Sequence, residues 1–169
     1  MGGTLTVDSE LGRGSCFSFQ IDCPAAPAEV EIESPKVCTG WPSGMRVLVV
    51  DDNAINLRVA KKMLERLGAS VEVRSSGHAA LEALSSEPFD VMLIDCQMPE
   101  MDGYEATRQW RRREGTGRRT PVVALTATIG DGERERCLEA GMDDYLSKPV
   151  RLEDLRALGA SFGGPRVAA

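Results

Sequence analysis

Three features of the sequence predict an α/β fold built on a five-stranded, parallel, doubly wound sheet. From Met45 onward, short apolar runs rich in β-branched residues alternate five times with stretches of helical period. Gly68, Pro88 and Gly141 stand just past the ends of the helical stretches, where they stop helices. The apolar runs end in polar groups: Asp51-Asp52, Asp95, Thr126 and, shortly after the last run, Lys148. Strands separated by helices of this length cross over right-handed and lie parallel, with helices on both faces.

The elements follow in order. Arg46 to Val50 (RVLVV) is a buried strand, and Asn53 to Leu67 a helix ended by Gly68. Ser70 to Arg74 is a short strand, and Ser75 to Ser86 holds a helix with Ser76 as N-cap. Asp90 to Ile94 is the third strand, followed by a helix from about Asp102 to Arg113. Pro121 to Leu125 is the fourth strand, with a helix from about Gly130 to Ala140. Asp143 to Leu146 is the fifth strand, and Leu152 to Leu158 lies in a last helix. Ahead of this unit, Leu5 to Val7 and Ser15 to Ile21 read as a hairpin, with Cys16, Ser18 and Gln20 on one side and Phe17, Phe19 and Ile21 on the other. The chain therefore divides into a hairpin (1–22), a linker (23–44) rich in Pro, Ala, Glu and Ser, the α/β domain (45–158) and a tail (159–169). Trp41, just before the next strand, could pack on the following domain, although a lone aromatic in a linker is more often incidental.

Composition narrows the function. With 42% hydrophobic and 27% charged residues, the 169-residue chain is that of a soluble globular protein. No apolar run approaches the length of a membrane span, so no direct membrane contact is expected. A formal net charge of -6 argues against nucleic-acid binding, which needs a basic field. Five scattered cysteines without a CxxC pair suit reduced thiols in the cytoplasm, and His78 has no partner for a zinc site.

In a parallel sheet, ligands bind at the carboxyl ends of strands. One rim thus gathers three carboxylates (Asp51, Asp52, Asp95), the Thr126 hydroxyl and the Lys148 ammonium. Clustered like charges call for a cation, and hard oxygen ligands on a wet rim suit Mg2+. A carboxylate beside a metal and an ammonium has the parts for phosphoryl transfer to itself, which makes Asp95 the candidate nucleophile. Cys96, next to it, should point the other way and pack.

The strings VLVVDDNAINLRVA, DVMLIDCQMPEMDGYEATR, PVVALTA and GMDDYLSKP resemble the receiver domains of two-component response regulators, particularly those fused to hybrid sensor histidine kinases. The resemblance implies a flavodoxin-like (βα)5 receiver working in a phosphorelay. Asp95 would be the phosphoacceptor, taking its phosphoryl group from the phosphohistidine domain of a histidine kinase or from a histidine phosphotransfer protein. Asp51 and Asp52 would hold Mg2+, Asp52 and Asp95 directly, with the Gln97 carbonyl completing the set. Lys148 would contact the phosphoryl group, its bond to Pro149 being cis. Thr126 and Tyr145 would form the switch, and Gln97 and Thr128 would tune the phosphoryl lifetime. MGGTLTVDSELGRGSCFSFQI resembles the last hairpin of a histidine kinase ATP-binding domain, without the nucleotide-binding boxes, so no ATP binding is expected. The parent protein is then a hybrid kinase, cytoplasmic here and compatible with a membrane anchor elsewhere.

Val59, Ala60, Met63 and Leu67 read as the core arc of the first helix, with Leu57 and Leu64 at its edge; these two read first as core packing and, in the sharper alternative, as candidates for docking a phosphohistidine helix. The arginines from Arg108 to Arg119 read as a solvated surface. Two other functions compete: an interaction module that keeps the fold without being phosphorylated, and a metal-dependent phosphatase. The latter would need a second acid as general acid/base, which in the haloacid-dehalogenase-like family sits two residues after the nucleophile, where Gln97 stands here.

Overall fold

The structure, a computed structural model, describes residues 3–10, 12, 14–21, 40–42, 44–115, 119–127 and 131–162. The chain forms two compact units, Met1–Pro35 and Lys36–Ala169.

In the first unit, β1 (Gly3–Glu10) and β2 (Gly14–Ile21) pair antiparallel, with Leu5 opposite Phe19 and Val7 opposite Phe17. Because side chains alternate along a strand, these four fall on one face, and all are at least 60% exposed.

The second unit holds β3 (Arg46–Val50), α1 (Ala54–Arg66), β4 (Ser70–Arg74), α2 (Gly77–Ser86), β5 (Val91–Asp95), α3 (Gly103–Glu114), β6 (Val122–Thr126), α4 (Asp131–Ala140), β7 (Asp144–Ser147) and α5 (Leu152–Phe162). The strands are parallel in the order β4-β3-β5-β6-β7, so the order reverses between β3 and β5 as the sequence predicts. The three central strands are buried on both faces, which is why they read as unbroken apolar runs. One face packs residues of α2, α3 and α4, including Leu81, Tyr104 and Cys137. The other packs Leu57 and Leu64 from α1, Leu67 at its C-terminal cap, and Leu155 and Leu158 from α5.

Asn53 caps α1 through its side chain, Ser76 caps α2 and Asp102 caps α3, accepting from the backbone N–H of Ile55, Ala79 and Glu105 in the first turn of each helix. Gly68, at a φ of 96°, and Gly141, at 89°, take the left-handed conformation past the ends of α1 and α4.

Two sequence expectations change. Trp41 is not incidental: it is 3% exposed, and its indole N–H donates to the Leu155 carbonyl at 2.9 Å. The backbone N–H groups of Gly40 and Trp41 both donate to the Leu67 carbonyl, and the Trp41 ring lies 5.9 Å from that of Phe162. The folded unit thus takes in residues ahead of the expected boundary at Met45, and α5 continues past Leu158 to Phe162 beneath them. Composition marks this stretch as linker, but one large ring buries enough apolar surface to override it.

The core face of α1 keeps Ala60, Met63 and Leu67 but differs at Val59. Leu64 is fully buried and Leu57 is 9% exposed, whereas Val59 is 44% exposed and Ile55 72%. Leu57 and Leu64, two turns apart, line up along the helix and face the sheet, so they are core residues rather than a docking edge.

Candidate functional site

The register of the central strands builds the rim. Val50 pairs with Ile94, which sets Asp51 beside Asp95, and Asp95 pairs with Leu125, one residue before Thr126. Thr126 in turn pairs with Ser147, so the residue after it, Lys148, reaches the same end of the sheet; its N–H donates to the Thr126 carbonyl at 2.7 Å. The bond from Lys148 to Pro149 is cis.

Lys148 Nζ sits 2.7 Å from Asp51 Oδ2 and 2.7 Å from Asp95 Oδ2, bridging two carboxylates that are nearly buried. Burial works against the ammonium's charge, but hydrogen bonds to Asp51 and Asp95 outweigh it and hold the Lys148 pKa above its ordinary value. Asp51 is further fixed by the Asn53 N–H at 2.9 Å and by the Asn56 side-chain amide, which donates to both of its oxygens at 3.1 Å. Asn56 was not singled out by the sequence; a polar side chain in the first turn after an acidic pair was the available signal. Asp95 Oδ1 accepts from the Gln97 N–H at 3.1 Å, while the Gln97 side chain is exposed. Gly103 makes this tight loop possible, since a Cβ there would lie 2.3 Å from the Asp95 carbonyl oxygen.

Oxygens of Asp51, Asp52 and Asp95 lie within 4.8 Å of one another, so the cluster could hold a metal ion. The donor set fits a hard divalent cation: three carboxylates face one ammonium, leaving the rim anionic, and Asp52 is open to solvent. Among the sequence-predicted site residues, Asp51, Asp52, Asp95, Gln97, Thr126 and Lys148 therefore meet at one end of the sheet. Tyr145 is half-buried on β7 and packs against the cluster that contains Cys137 and Met142. Thr128 lies outside the described residues. Leu57 and Leu64 lie in the core beneath α1, for the packing reason given above.

Thr126 is 3% exposed, and its hydroxyl donates to Glu133 Oε1 on α4 at 3.4 Å. The Tyr104 hydroxyl makes a short hydrogen bond to the same oxygen. Nothing in the sequence marks Glu133, because its partners come from α3 and β6. Cys96 is buried on the α3 and α4 side, and burial pushes its thiol up to about 12, although a hydrogen bond with Tyr104 opposes the shift. Its thiolate is negligible at neutral pH, which fits packing rather than nucleophilic chemistry. In the native protein, an alkylating reagent is expected to modify exposed Cys16 and to spare Cys96 and Cys137 until the chain is unfolded; mass mapping of the modified sites checks this.

The arginines of α3 are not simply a solvated face. Arg111 donates to Glu114, Asp143 and the carbonyls of Thr120 and Gly141, tying α3 to the ends of α4 and β6. Arg119 shares Asp143, and Arg118 lies outside the described residues. Among the described residues, no helix is long and apolar enough to cross a membrane.

The model of the response regulator receiver domain matches residues 47–159. Aerobic respiration control sensor protein ArcB of Escherichia coli is 40% identical over 162 residues, which is 96% of this chain and 21% of ArcB; this chain thus spans about a fifth of that relative. The crystal structure of the receiver domain of sensor histidine kinase PA1611 from Pseudomonas aeruginosa, with magnesium coordinated in its active site cleft, matches with a TM-score of 0.64 at 40% identity, over 71% of this chain and 98% of that one. The receiver domain of the Saccharomyces cerevisiae response regulator Ssk1, in co-crystal with the phosphotransfer protein Ypd1, matches with a TM-score of 0.66 at 29% identity, over 72% and 90%. With the acidic rim, the bridging lysine and the doubly wound sheet all in one unit, the chain belongs to the response regulator receiver family of two-component signalling, and its relatives include hybrid sensor histidine kinases.

Proposed function

We propose that this receiver accepts a phosphoryl group on Asp95 from a phosphohistidine, in a Mg2+-dependent step of a phosphorelay. The observation that carries the proposal is the Lys148 bridge between Asp51 and Asp95 beside the exposed Asp52. In the transfer, the histidine N–P bond breaks as the Asp95 O–P bond forms, and the imidazole keeps the electron pair. Asp51, Asp52 and Asp95, with the Gln97 carbonyl, would hold Mg2+, which when bound offsets the charge of the phosphoryl oxygens. Lys148 is already charged and placed to stabilise those oxygens, and the Thr126 hydroxyl stands one residue beyond the strand pair of Asp95. A new dianion at Asp95 would draw Thr126 toward it and change the space beside the Tyr145 ring, biasing the face of α4, β7 and α5. Gln97 and Thr128, neither a base, would suit a long-lived phosphoryl group. Incubation with Mg2+ and a small phosphodonor should add one phosphoryl group by intact mass, and a chelator should abolish the addition; an adduct that forms equally with chelator would overturn the proposal.

The partner surface moves from Leu57 and Leu64 to the exposed side of α1. Ile55 and Val59 stand there, beside an apolar groove lined by Val59, Ala60, Met63, Pro149 and Val150 that runs to Asp51 and Lys148. A helix carrying the phosphohistidine fits such a groove, and the Ssk1 receiver domain forms a co-crystal with a histidine phosphotransfer protein. Changing Ile55 and Val59 together to serine should slow transfer at unchanged thermal stability. The pair Leu57→Ser and Leu64→Ser should instead unfold the domain, since each buries an unpartnered hydroxyl and leaves a cavity. Transfer rates and thermal melts on both pairs distinguish the two surfaces.

The hairpin of β1 and β2 is read as the end of a kinase ATP-binding domain. Its exposed apolar face suits a strand pair drawn from a larger layered fold, and the alignment with ArcB covers nearly the whole chain.

A further inference from the structure

Glu133 lies outside the acidic rim, yet it collects three donors from different elements. Its Oε1 accepts from the Tyr104 hydroxyl on α3 and, at 3.4 Å, from the Thr126 hydroxyl at the end of β6. Its Oε2 lies 3.5 Å from Arg136 Nη1, and that guanidinium stacks over the Tyr104 ring at 4.6 Å. Tyr104 is only 4% exposed, so its hydroxyl depends on this carboxylate in place of water.

A threonine hydroxyl carries one proton and can donate to one acceptor at a time. In this structure the Thr126 hydroxyl lies 3.4 Å from the Glu133 carboxylate, which can only accept. To meet a phosphoryl oxygen on Asp95 it must leave that carboxylate. Leaving does not strand Glu133, because Tyr104 and Arg136 remain as partners. The exchange therefore costs one weak charge-assisted bond, a size that two states of a switch can share.

We propose that Glu133 is a positioning residue that holds Thr126 in its resting rotamer and competes with the phosphorylated Asp95 for the Thr126 hydroxyl. The inference rests on Thr126 acting as the switch residue described above. It assigns α4 a direct part in setting how readily the receiver adopts its phosphorylated form: a weaker Glu133 acceptor makes the active conformation easier to reach. A merely structural Glu133 would do the reverse, since loosening α4 would weaken binding at the rim.

The test is calorimetric titration of beryllium trifluoride, a phosphoryl mimic, at saturating Mg2+. It compares the native chain with Glu133→Gln, Glu133→Asp, Thr126→Val, and Thr126→Val combined with Glu133→Gln. Glu133→Gln weakens the acceptor while keeping its shape, and Glu133→Asp keeps the charge but withdraws it from reach. Both should bind the mimic about three- to tenfold more tightly than the native chain, the range expected for losing one modest hydrogen bond. In the Thr126→Val background, Glu133→Gln should leave the affinity unchanged. Equal or weaker binding by both single variants overturns the proposal, and so does a gain that persists without the Thr126 hydroxyl. Native protein that fails to bind the mimic at all would instead overturn the phosphoacceptor reading of Asp95 on which the proposal depends.

Discussion

Replacing Lys148 with methionine is expected to tighten Mg2+ binding while nearly abolishing phosphorylation of Asp95. The two effects have opposite signs because the ammonium has two roles. At rest it sits 2.7 Å from both Asp51 and Asp95, where it neutralises the same oxygens that a metal would use. Removing it leaves clustered carboxylates without their cation, so a divalent ion should gain about tenfold or more in affinity. In the transfer itself the ammonium is a preorganised charge aimed at the incoming phosphoryl oxygens. Loss of such a group costs about 10²- to 10³-fold in rate. Fluorescence or calorimetric titration of Mg2+ and time courses of phosphorylation by intact mass measure the two separately. Unchanged Mg2+ affinity would show that Lys148 does not compete for the rim.

The second large effect lies far from the chemistry. Trp41→Ala should destabilise the receiver by about 3–5 kcal/mol, the range for removing a large buried ring. The ring fills a slot between the end of α1 and α5, and its indole N–H is satisfied by the Leu155 carbonyl. Its loss would leave a cavity and remove the indole bond to that carbonyl. Gly159 completes the slot, since a Cβ there would lie 2.5 Å from the Gly40 carbonyl oxygen and 2.6 Å from the Trp41 ring. Gly159→Ala should therefore also destabilise, by about 1–3 kcal/mol through overpacking. Denaturant melts of the two variants and of a chain starting at Met45 check this; a truncated chain as stable as the full one would contradict it.

The sheet and most of the rim were legible in the sequence for one physical reason. Central parallel strands are buried on both faces, so VLVV, VMLI and VVAL stand out as apolar runs, and the residue that ends each run must be the one at the rim. Local grammar fixed helix limits as well, as with Asn53, Ser76 and Gly68. What stayed hidden depends on contacts between distant segments. The α1 helix carries apolar residues on two sides, Leu57 and Leu64 toward the sheet and Ile55 and Val59 outward, so periodicity placed Ala60, Met63 and Leu67 against the core but wrongly added Val59. Trp41 lies in a stretch whose composition says linker, and its partners Leu155, Gly159 and Phe162 are over a hundred residues away. Asn56 and Glu133 are ordinary polar helix residues until the fold brings Asp51 to one and Thr126 and Tyr104 to the other.

The most direct measurement of the central claim is transfer from a phosphorylated histidine phosphotransfer protein to the native chain and to Asp95→Asn, read by intact mass and by mapping of the modified peptide. The account predicts one phosphoryl group on the native chain, located at Asp95, and none on the variant. A phosphoryl group of equal stoichiometry on Asp95→Asn would contradict it.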